Sequence, residues 1–297
     1  MKKILVIGSA NADLVIHSER MPVLGETLVG SSFSVGAGGK GLNQAVAAKK
    51  LGGDVVFVGA VGDDLNGKML RERMESYGID FKGLVTADAP TGCAMITVVG
   101  GDNFIILDEG ANASVTVDTI DLLEGLIAEA DSLMMQYEIP TEAIVRAARI
   151  AHANGTRVVV NPAPFKKLDA EFYSLVDILV PNEHEARMLV GIDPCDEAGA
   201  LKALGAIREL GVGTAVITLG ERGCVYNDGE RTVFCPAVKT NVVDTTSAGD
   251  SFIGALCVRL CGGDSLADAV RYATKVSAIT VSRAGASDSI PYANDIE

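Results

Sequence analysis

The chain has 297 residues, of which 48% are hydrophobic, 22% charged and 5% aromatic, with no Trp. This length and composition exclude an intrinsically disordered chain, a collagen and a coiled coil, and they support a core that needs no disulfide or metal. The formal net charge of −14 argues against a protein that binds nucleic acids or anionic membranes.

The first residues and the cysteines indicate in which cellular compartment the protein is located. Lys2 and Lys3 followed by the apolar residues 4–7 imitate a secretory leader, but the apolar run is short and Asp13 follows closely. We therefore interpret this run as a first buried strand. The six cysteines form no C-x-x-C pair and are typical of reduced, buried thiols. We expect a cytoplasmic protein with no membrane-spanning segment.

Short apolar runs alternate with helical periodicities along the chain. Strands are predicted at residues 4–7, 55–61, 132–135, 157–160, 178–180 and 215–219. Helices are predicted at residues 41–51, 65–77, 141–154, 198–210, 248–260 and 266–282. This alternation predicts βαβ units and an α/β/α core of three layers, with a mainly parallel sheet covered by helices on both faces.

Two segments, 14–35 and 94–107, break this rhythm with alternating, β-branched residues and no intervening helix. Gly100-Gly101-Asp102-Asn103 is typical of a hairpin turn within the second segment. We predict a small antiparallel sheet inserted into the core, which is either a lid over a site or an ordinary extension of the sheet. No linker divides the chain, so we expect a single domain over residues 1–297.

The densest glycine cluster covers residues 36–43. It contains G-x-G-x-x-G, but a dinucleotide fingerprint should follow the first strand directly, and this cluster does not. It is not a Walker loop either, because Lys40 is followed by Gly41 rather than by Ser or Thr. The cluster is therefore a tight turn that opens a helix, and its missing side chains would let a polar ligand approach the backbone closely.

A second cluster of small residues, 244–251, leads into an apolar helix. The N–H groups of a helix N-terminus bind anions, and Asp250 lies within this start. Asp250 is either a helix-start residue or a general base beside an anion hole. The second interpretation is the arrangement that phosphoryl transfer to a hydroxyl group requires.

Five motifs occur in an order that resembles the ribokinase-like (PfkB) family of carbohydrate kinases over essentially the whole chain. They are Asn11-Ala12-Asp13, Gly38-Gly39-Lys40-Gly41-Leu42-Asn43, Asn182-Glu183-His184-Glu185, Thr218-Leu219-Gly220-Glu221-Arg222-Gly223 and Asp244-Thr245-Thr246-Ser247-Ala248-Gly249-Asp250. The resemblance implies a Rossmann-like core with a β-sheet lid, and an enzyme that uses ATP and Mg²⁺ to phosphorylate a sugar or nucleoside hydroxyl.

The resemblance also implies a role for each matching residue. Asp250 would be the catalytic base, Ala248 and Gly249 would form the anion hole with the Asp250 N–H, and Glu185 would hold Mg²⁺ through water. The residues implied to bind ATP are Asn182, Thr218, Leu219, Gly220, Glu221, Arg222, Gly223, Gly249 and Thr274.

Within the family, the pattern is most similar to the members that phosphorylate ribose. The implied sugar-binding residues are Asn11, Asp13, Gly39, Lys40, Gly41, Asn43, Glu138 and Asp250. Glu138 follows a predicted buried strand and would otherwise be a helix-entry residue. The implied K⁺ ligands are Asp244, Thr246, Thr280, Arg283, Gly285 and Ser289. Ser247 departs from the family pattern, since many relatives have Gly there.

The resemblance also implies a homodimer that associates through the lid. Other sugar or nucleoside kinases of this family remain alternatives, although the low aromatic content disfavours a pocket for a nucleobase. A non-catalytic sugar sensor is disfavoured by the intact Asp250 and anion-hole sequence. A Rossmann dehydrogenase is disfavoured by the position of the glycine cluster.

Overall fold

Two β-sheets organise the computed structural model, which describes residues 2–100, 102–229 and 231–296. The strands in chain order are β1 (Lys3–Ile7), β2 (Asn11–Ser18), β3 (Ser32–Gly38), β4 (Asp54–Gly62), β5 (Asp80–Ala87), β6 (Cys93–Val99), β7 (Asp102–Asp108), β8 (Ser132–Gln136), β9 (Arg157–Asn161), β10 (Ile178–Leu179), β11 (Thr214–Thr218), β12 (Cys224–Asp228) and β13 (Arg231–Cys235).

Helices connect most of these strands. They are α1 (Lys40–Lys50), α2 (Leu65–Ser76), α3 (Val117–Leu122), α4 (Glu124–Ala128), α5 (Thr141–Asn154), α6 (Ala170–Tyr173), α7 (Glu183–Val190), α8 (Glu197–Glu209), α9 (Ala248–Gly262) and α10 (Leu266–Val281). Short 3-10 segments lie at Gly110–Ser114, Gly220–Arg222 and Ala293–Asp295. Within the described ranges, no helix is long and apolar enough to cross a lipid bilayer.

The large sheet has the strand order β13-β12-β11-β10-β9-β8-β1-β4-β5. The strands from β11 to β5 run parallel, and β12 and β13 add an antiparallel edge. All six strands predicted from the apolar runs belong to this sheet, which confirms the mainly parallel core. The alternation along β1 covers both faces, because Ile4 and Val6 pack into one core cluster and Leu5 and Ile7 into another.

The small sheet has the order β3-β2-β6-β7 and contains both segments that broke the helical rhythm. β2 pairs antiparallel with β3, and β6 with β7, but the central pair β2–β6 is parallel. The predicted small sheet is present and its outer pairs are antiparallel as expected, but its central pair is parallel. No hairpin joins β2 to β6, because the chain passes through β4 and β5 of the large sheet between them. The predicted hairpin turn contains Gly101, which lies outside the described residues.

Polar residues follow the parallel strands at one edge of the large sheet. Ser9 follows β1, Glu138 follows β8, Asn161 ends β9, Asn182 follows β10 and Thr218 ends β11. The carboxyl ends of parallel strands lie at the same edge, which is where α/β proteins bind their ligands. The fold therefore gathers residues that are far apart in sequence into one region.

Helices α1 and α9 pack closely enough that a glycine is needed at their contact. A Cβ atom added to Gly254 of α9 would lie 2.6 Å from Ala47 Cβ, 2.9 Å from Ala48 N and 3.1 Å from the Gln44 carbonyl oxygen of α1. Two of these three atoms belong to the backbone, which cannot move aside without shifting the helix. The close approach brings the first turns of both helices to the same edge of the sheet.

We predict that Gly254→Ala lowers the free energy of unfolding by about 1–3 kcal/mol, because overpacking forces α1 and α9 apart. Gly205→Ala in α8 is the matched control, since a Cβ there meets nothing within 4 Å. That substitution should raise the free energy of unfolding by up to ~1 kcal/mol through helix propensity. Urea denaturation measures both, and a Gly254→Ala variant as stable as Gly205→Ala would contradict the tight contact.

Candidate active site

A polar cavity of about 190 Å³ lies at the carboxyl edge of the large sheet, beside the start of α9. Its lining residues are Lys40, Asn161, Val180, Asn182, Glu185, Thr218, Thr245, Ser247, Ala248, Gly249, Asp250 and Ile253. A larger cavity of about 470 Å³ lies at the opposite edge, beside Lys2, Asp54 and Arg259. Only the smaller cavity brings predicted site residues together, so it is the candidate active site.

Asp250 lies in the first turn of α9 and is only 7% exposed. Two consecutive residues of α1 donate hydrogen bonds to its carboxylate. Asn43 Nδ2 lies 3.3 Å from Oδ2, and Gln44 Nε2 lies 3.1 Å from Oδ1. Hydrogen bonds from α1 therefore fix the orientation of the carboxylate, which also borders the cavity. A general base must be held in this way within reach of a substrate.

The start of α9 leaves backbone N–H groups for a ligand. The Ala248 N–H donates to the Thr245 carbonyl at 3.2 Å and the Ser251 N–H donates to the Ser247 carbonyl at 2.9 Å. The N–H groups of Gly249 and Asp250 precede the intrahelical hydrogen bonds and remain for an anion. Of the three residues implied for the anion hole, Ala248 therefore lines the cavity but has no free N–H group to offer an anion.

Ser247 precedes α9 in the left-handed region, with φ at 61°. A residue with a Cβ atom rarely adopts this conformation, whereas glycine adopts it readily. The local geometry thus accounts for the glycine that many members of the resembled family have at this position. The Ser247 hydroxyl is buried and has no hydrogen-bond partner among the described residues.

The opposite side of Asp250 is built by the starts of β2 and α1. Glu138 Oε2 accepts hydrogen bonds from the Ser9 hydroxyl at 2.5 Å and from the Lys40 N–H at 3.0 Å. Asn11 Oδ1 accepts one from Asn112 Nδ2 at 2.7 Å. The chain passes here through Gly39, whose φ of 90° favours glycine. A Cβ on the next glycine, Gly41, would lie 2.6 Å from the Ser9 N atom, so the turn is packed against β1.

Acidic groups crowd this side of the site. Burial, together with the negative charges of Glu138 and Asp250, raises the pKa of Asp13 to about 7. Burial of the Lys40 ammonium works against its charge, but attraction to Asp250, Glu138 and Glu185 outweighs burial and raises its pKa. Lys40 is therefore held as a cation among carboxylates.

Asn182 and Glu185 form a capping box at the start of α7. Asn182 Oδ1 accepts from the Glu185 N–H at 2.8 Å, and Glu185 Oε2 accepts from the Asn182 N–H at 2.8 Å. Burial raises the pKa of Glu185, although hydrogen bonds from Asn182 and the charge of Lys40 oppose this. Thr218 forms a β-bridge with Asn182, which places the end of β11 beside the same cavity.

The residues present fit Mg²⁺ only as an ion held largely by water and phosphate. Within the described residues, no group of three or more His, Cys, Asp or Glu side chains is arranged to hold a metal. Glu185 supplies one buried carboxylate on the cavity wall. Mg²⁺ is commonly bound by one or two carboxylates, several waters and substrate phosphates, which agrees with this donor set.

Six residues predicted to bind ATP lie outside the cavity lining: Leu219, Gly220, Glu221, Arg222, Gly223 and Thr274. The Arg222 guanidinium forms an ion pair with Glu183 and donates to the Pro194 carbonyl at 2.9 Å. Its side chain therefore holds neighbouring loops together. The Thr274 hydroxyl donates to the Val270 carbonyl of its own helix at 2.9 Å.

Two of the residues predicted to bind K⁺, Thr246 and Gly285, contact a third, Asp244. Its Oδ1 accepts from the Thr246 N–H at 2.9 Å and its Oδ2 from the Gly285 N–H at 3.0 Å. Burial acts to raise the pKa of Asp244, but these hydrogen bonds outweigh it and lower the pKa below its ordinary value. An ionised carboxylate with second lone pairs on both oxygens suits a hard cation such as K⁺.

The other three candidates have local contacts. The Thr280 carbonyl accepts from the Arg283 N–H at 3.1 Å, the Arg283 guanidinium pairs with Asp295, and the Ser289 hydroxyl donates to the Ala286 carbonyl at 2.7 Å. Each of these residues also has a backbone carbonyl oxygen with two lone pairs, which could coordinate a cation.

Sequence reasoning missed several polar residues of the site, above all Gln44 and Asn161, which lie behind Asp250. Two signals point to them. Gln44 directly follows Asn43 in the glycine-rich motif, and Asn161 ends a buried strand at the carboxyl edge. The Asn43 Oδ1 atom is buried without a partner in the described part of the chain, so it is available to a hydroxyl group of a ligand.

The raised pKa of Asp13 predicts how stability depends on pH. The folded protein keeps a proton on Asp13 up to about pH 7, whereas the unfolded chain releases it near the ordinary aspartate pKa of 3.8. The free energy of unfolding should therefore fall as pH rises between these values. Asp13→Asn should remove the part of this fall in the free energy of unfolding that comes from Asp13. Asp118 is exposed, so the control variant Asp118→Asn should show the same fall as the wild type. Urea denaturation from pH 4 to 8 measures this, and identical profiles for all three proteins would contradict it.

Comparisons with known proteins agree with this geometry. The sequence model described as pfkB family carbohydrate kinase matches residues 1–293. The ribokinase of Haemophilus influenzae is 39% identical over 292 residues, which cover 98% of this chain and 95% of that protein. The ribokinase of Staphylococcus aureus is 38% identical over 298 residues, covering 99% and 98%. A ribokinase of Arabidopsis thaliana, solved with ribose and ATP, superimposes with a TM-score of 0.92 at 30% identity, covering 100% of this chain and 98% of that one.

Proposed function

This chain belongs to the PfkB family of carbohydrate kinases, and we propose that it is an ATP-dependent ribokinase that converts D-ribose and ATP to D-ribose 5-phosphate and ADP. Similarity to ribokinases over nearly the whole chain supports this proposal. The observation that carries the chemistry is the buried Asp250 carboxylate, which borders the cavity next to the N–H groups of Gly249 and Asp250 itself. A base beside an anion hole is suited to phosphoryl transfer to an alcohol.

In the proposed reaction, an Asp250 oxygen accepts the proton of the ribose 5-hydroxyl as the hydroxyl oxygen bonds to the γ-phosphorus of ATP. The bond from that phosphorus to the β–γ bridging oxygen breaks, and ADP leaves. The N–H groups of Gly249 and Asp250 bind the transferring phosphoryl oxygens, and the Lys40 ammonium balances charge at the same place. Mg²⁺, held through water by Glu185, would neutralise charge on the phosphates of ATP. Asn182, the Thr218–Gly223 loop and Thr274 are proposed to hold the rest of the nucleotide.

Ribose is small and polar on every side, so its pocket must supply hydrogen-bonding groups rather than aromatic surfaces. Asp13 and Glu138 provide carboxylates, and Asn43 provides the buried carbonyl oxygen that lacks a partner in the described structure. The proposed sugar ligands also include Asn11 and the backbone of residues 39–41. Such a site discriminates against sugars that lack a hydroxyl, because a buried polar group would then stay unpaired.

The test of the function is a coupled assay of ADP formation with a panel of acceptors: D-ribose, 2-deoxy-D-ribose, D-fructose, 2-keto-3-deoxygluconate and adenosine. Ribose should give the highest kcat/KM. A higher kcat/KM for fructose, the keto-acid or adenosine would assign the protein to another activity of this family. No ADP release with any acceptor would favour a non-catalytic sugar sensor.

We predict that Asp250→Asn folds as the wild type does but loses about 10²–10⁴-fold in kcat, because it removes the proposed base. Asp13→Ala is the contrasting variant. It should mainly raise the KM for ribose, since it removes a contact to a hydroxyl that does not react. Steady-state kinetics of both variants check this, and near wild-type turnover by Asp250→Asn would exclude Asp250 from the mechanism.

We also propose a K⁺ site formed by Asp244, Thr246, Thr280, Arg283, Gly285 and Ser289. Asp244 and Thr246 belong to the segment that leads into α9. A cation bound there would rigidify the segment that carries the proposed anion hole, so its effect should fall mainly on kcat.

We predict that K⁺ raises kcat several-fold, that Na⁺ is clearly poorer, and that Asp244→Asn loses most of the activation. Initial rates are measured in Tris or choline buffer with K⁺, Na⁺ or Cs⁺ added at constant ionic strength. Rates that do not respond to any of the three ions would contradict the proposed site.

The small sheet is proposed to act as a lid on a single domain of residues 1–297 and to form the interface of a homodimer. Its strands carry large apolar side chains that are exposed in the single chain, among them Phe33, Met95 and Ile106. An exposed apolar sheet invites association, and pairing with a second copy would cover it. Six unpaired thiols agree with the proposed cytoplasmic location.

A further inference from the structure

Gln44, a fully buried residue of α1, takes part in a chain of hydrogen bonds between two carboxylates of the candidate active site, Asp250 and Glu185. Its Nε2 atom lies 3.1 Å from Asp250 Oδ1 and 3.4 Å from Asn161 Oδ1. Asn161 Nδ2 in turn lies 3.4 Å from Glu185 Oε2 and 3.0 Å from the Val180 carbonyl oxygen. Two amide side chains, Gln44 behind the cavity and Asn161 on its wall, therefore connect Asp250 to Glu185.

The chemistry of the carboxylates determines which way each amide points. An ionised carboxylate only accepts hydrogen bonds, so Gln44 must turn its NH₂ group toward Asp250. The same NH₂ group has a second hydrogen for Asn161 Oδ1, which leaves the Asn161 NH₂ group for Glu185. Both ends of the chain thus present a donor to a carboxylate, and no other orientation of the two amides does so.

The orientation of Gln44 also fixes that of the next amide, Gln136. The Gln44 Oε1 atom accepts from Gln136 Nε2 at 2.6 Å, so Gln136 presents its NH₂ group to Gln44. The Gln136 Oε1 atom is then buried without a hydrogen-bond partner in the described part of the chain. A buried acceptor without a partner costs stability, so this arrangement of the three amides has an energetic cost.

We infer that Gln44 is a positioning residue, which fixes the Asp250 carboxylate for proton transfer and, through Asn161, couples its placement to that of Glu185. The inference rests on the proposed kinase activity. Gln44 does not line the cavity, so it acts through Asp250 rather than on a substrate. Charged groups that act on Asp250 from other elements are Lys40, Asp13 and Glu185, and none of them replaces the directed N–H of Gln44.

The test compares Gln44→Met, which keeps the size of the side chain and removes both donors, with the wild-type protein. Loss of a hydrogen bond to a charged group should lower kcat roughly 10- to 100-fold. The KM values for ribose and ATP should stay within about 3-fold, because the groups proposed to contact them are retained. Gln136→Met should lower kcat less, since Gln136 touches neither carboxylate.

Thr156→Val is the control for a general loss of stability. Thr156 is buried at the opposite edge of the sheet, where its hydroxyl donates to the Ile127 and Ala130 carbonyls at 2.8 and 3.1 Å. This variant should unfold at lower urea concentration and keep the wild-type kcat. If Gln44→Met also keeps the wild-type kcat, or loses it only in proportion to a rise in KM, the inference is overturned.

A second measurement needs no substrate and separates this inference from the proposed function. In a crystal structure of ligand-free Gln44→Met, we expect the Asp250 carboxylate to have rotated, with α1 and α9 in place. An Asp250 carboxylate that keeps its wild-type orientation would overturn the inference even if ribose proves not to be the substrate. Failure of the proposed function would instead appear as a wild-type protein that does not phosphorylate ribose.

Discussion

The central constraint on this structure is a group of carboxylates around a single ammonium. Asp250, Glu138 and Glu185 all act on Lys40, and burial together with the charges of Glu138 and Asp250 raises the pKa of Asp13 to about 7. Like charges at such proximity disfavour one another's ionisation, and burial increases the cost. The protein must therefore supply donors that are fixed in place before any ligand binds.

Those donors come from the backbone and from neutral amides. The Lys40 N–H binds Glu138, the Asn182 N–H binds Glu185, and Asn43 and Gln44 donate to Asp250. Neutral donors compensate negative charge without adding side-chain cations that would compete for the substrate phosphates. The N–H groups at the start of α9 remain for the anionic end of the reaction. The site thus separates a carboxylate-rich side suited to sugar hydroxyls from a side suited to phosphate.

The close contact of α1 and α9 makes this arrangement possible. Lys40, Asn43 and Gln44 occupy the beginning of α1, and Asp250 occupies the beginning of α9. Their side chains meet only because both helices present small residues to each other, with Gly254 against Ala47. The use of small side chains at this contact is in line with the composition of the chain, which is rich in alanine and glycine and poor in aromatic residues.

The sequence predicted the strands of the parallel core because continuous apolar runs mark strands that are buried on both faces. It did not predict β5, β12 and β13, whose burial is partial and whose apolar pattern is correspondingly weak. The parallel pairing of β2 with β6 depends on the path of the chain through the large sheet, which no local pattern records. Asp250 could be singled out from the sequence because it lies in a run of small residues that opens an apolar helix.

Other features of the site could not be predicted from the sequence. Gln44 is an ordinary helical residue until the fold places it 3.1 Å from Asp250. The left-handed conformation of Ser247 likewise follows from the turn into α9 rather than from its residue type. The Arg222 side chain has a local role that its position in the predicted nucleotide loop does not reveal. For Gln44 and Arg222 the deciding contacts, to Asp250 and Glu183, join residues that are distant in sequence.

The most direct test of the account is a crystal structure of the protein with D-ribose and a non-hydrolysable ATP analogue. The account predicts the ribose 5-hydroxyl within hydrogen-bonding distance of an Asp250 carboxylate oxygen, and the terminal phosphate at the N–H groups of Gly249 and Asp250. Ribose bound with another hydroxyl at Asp250, or a terminal phosphate bound away from the start of α9, would contradict it.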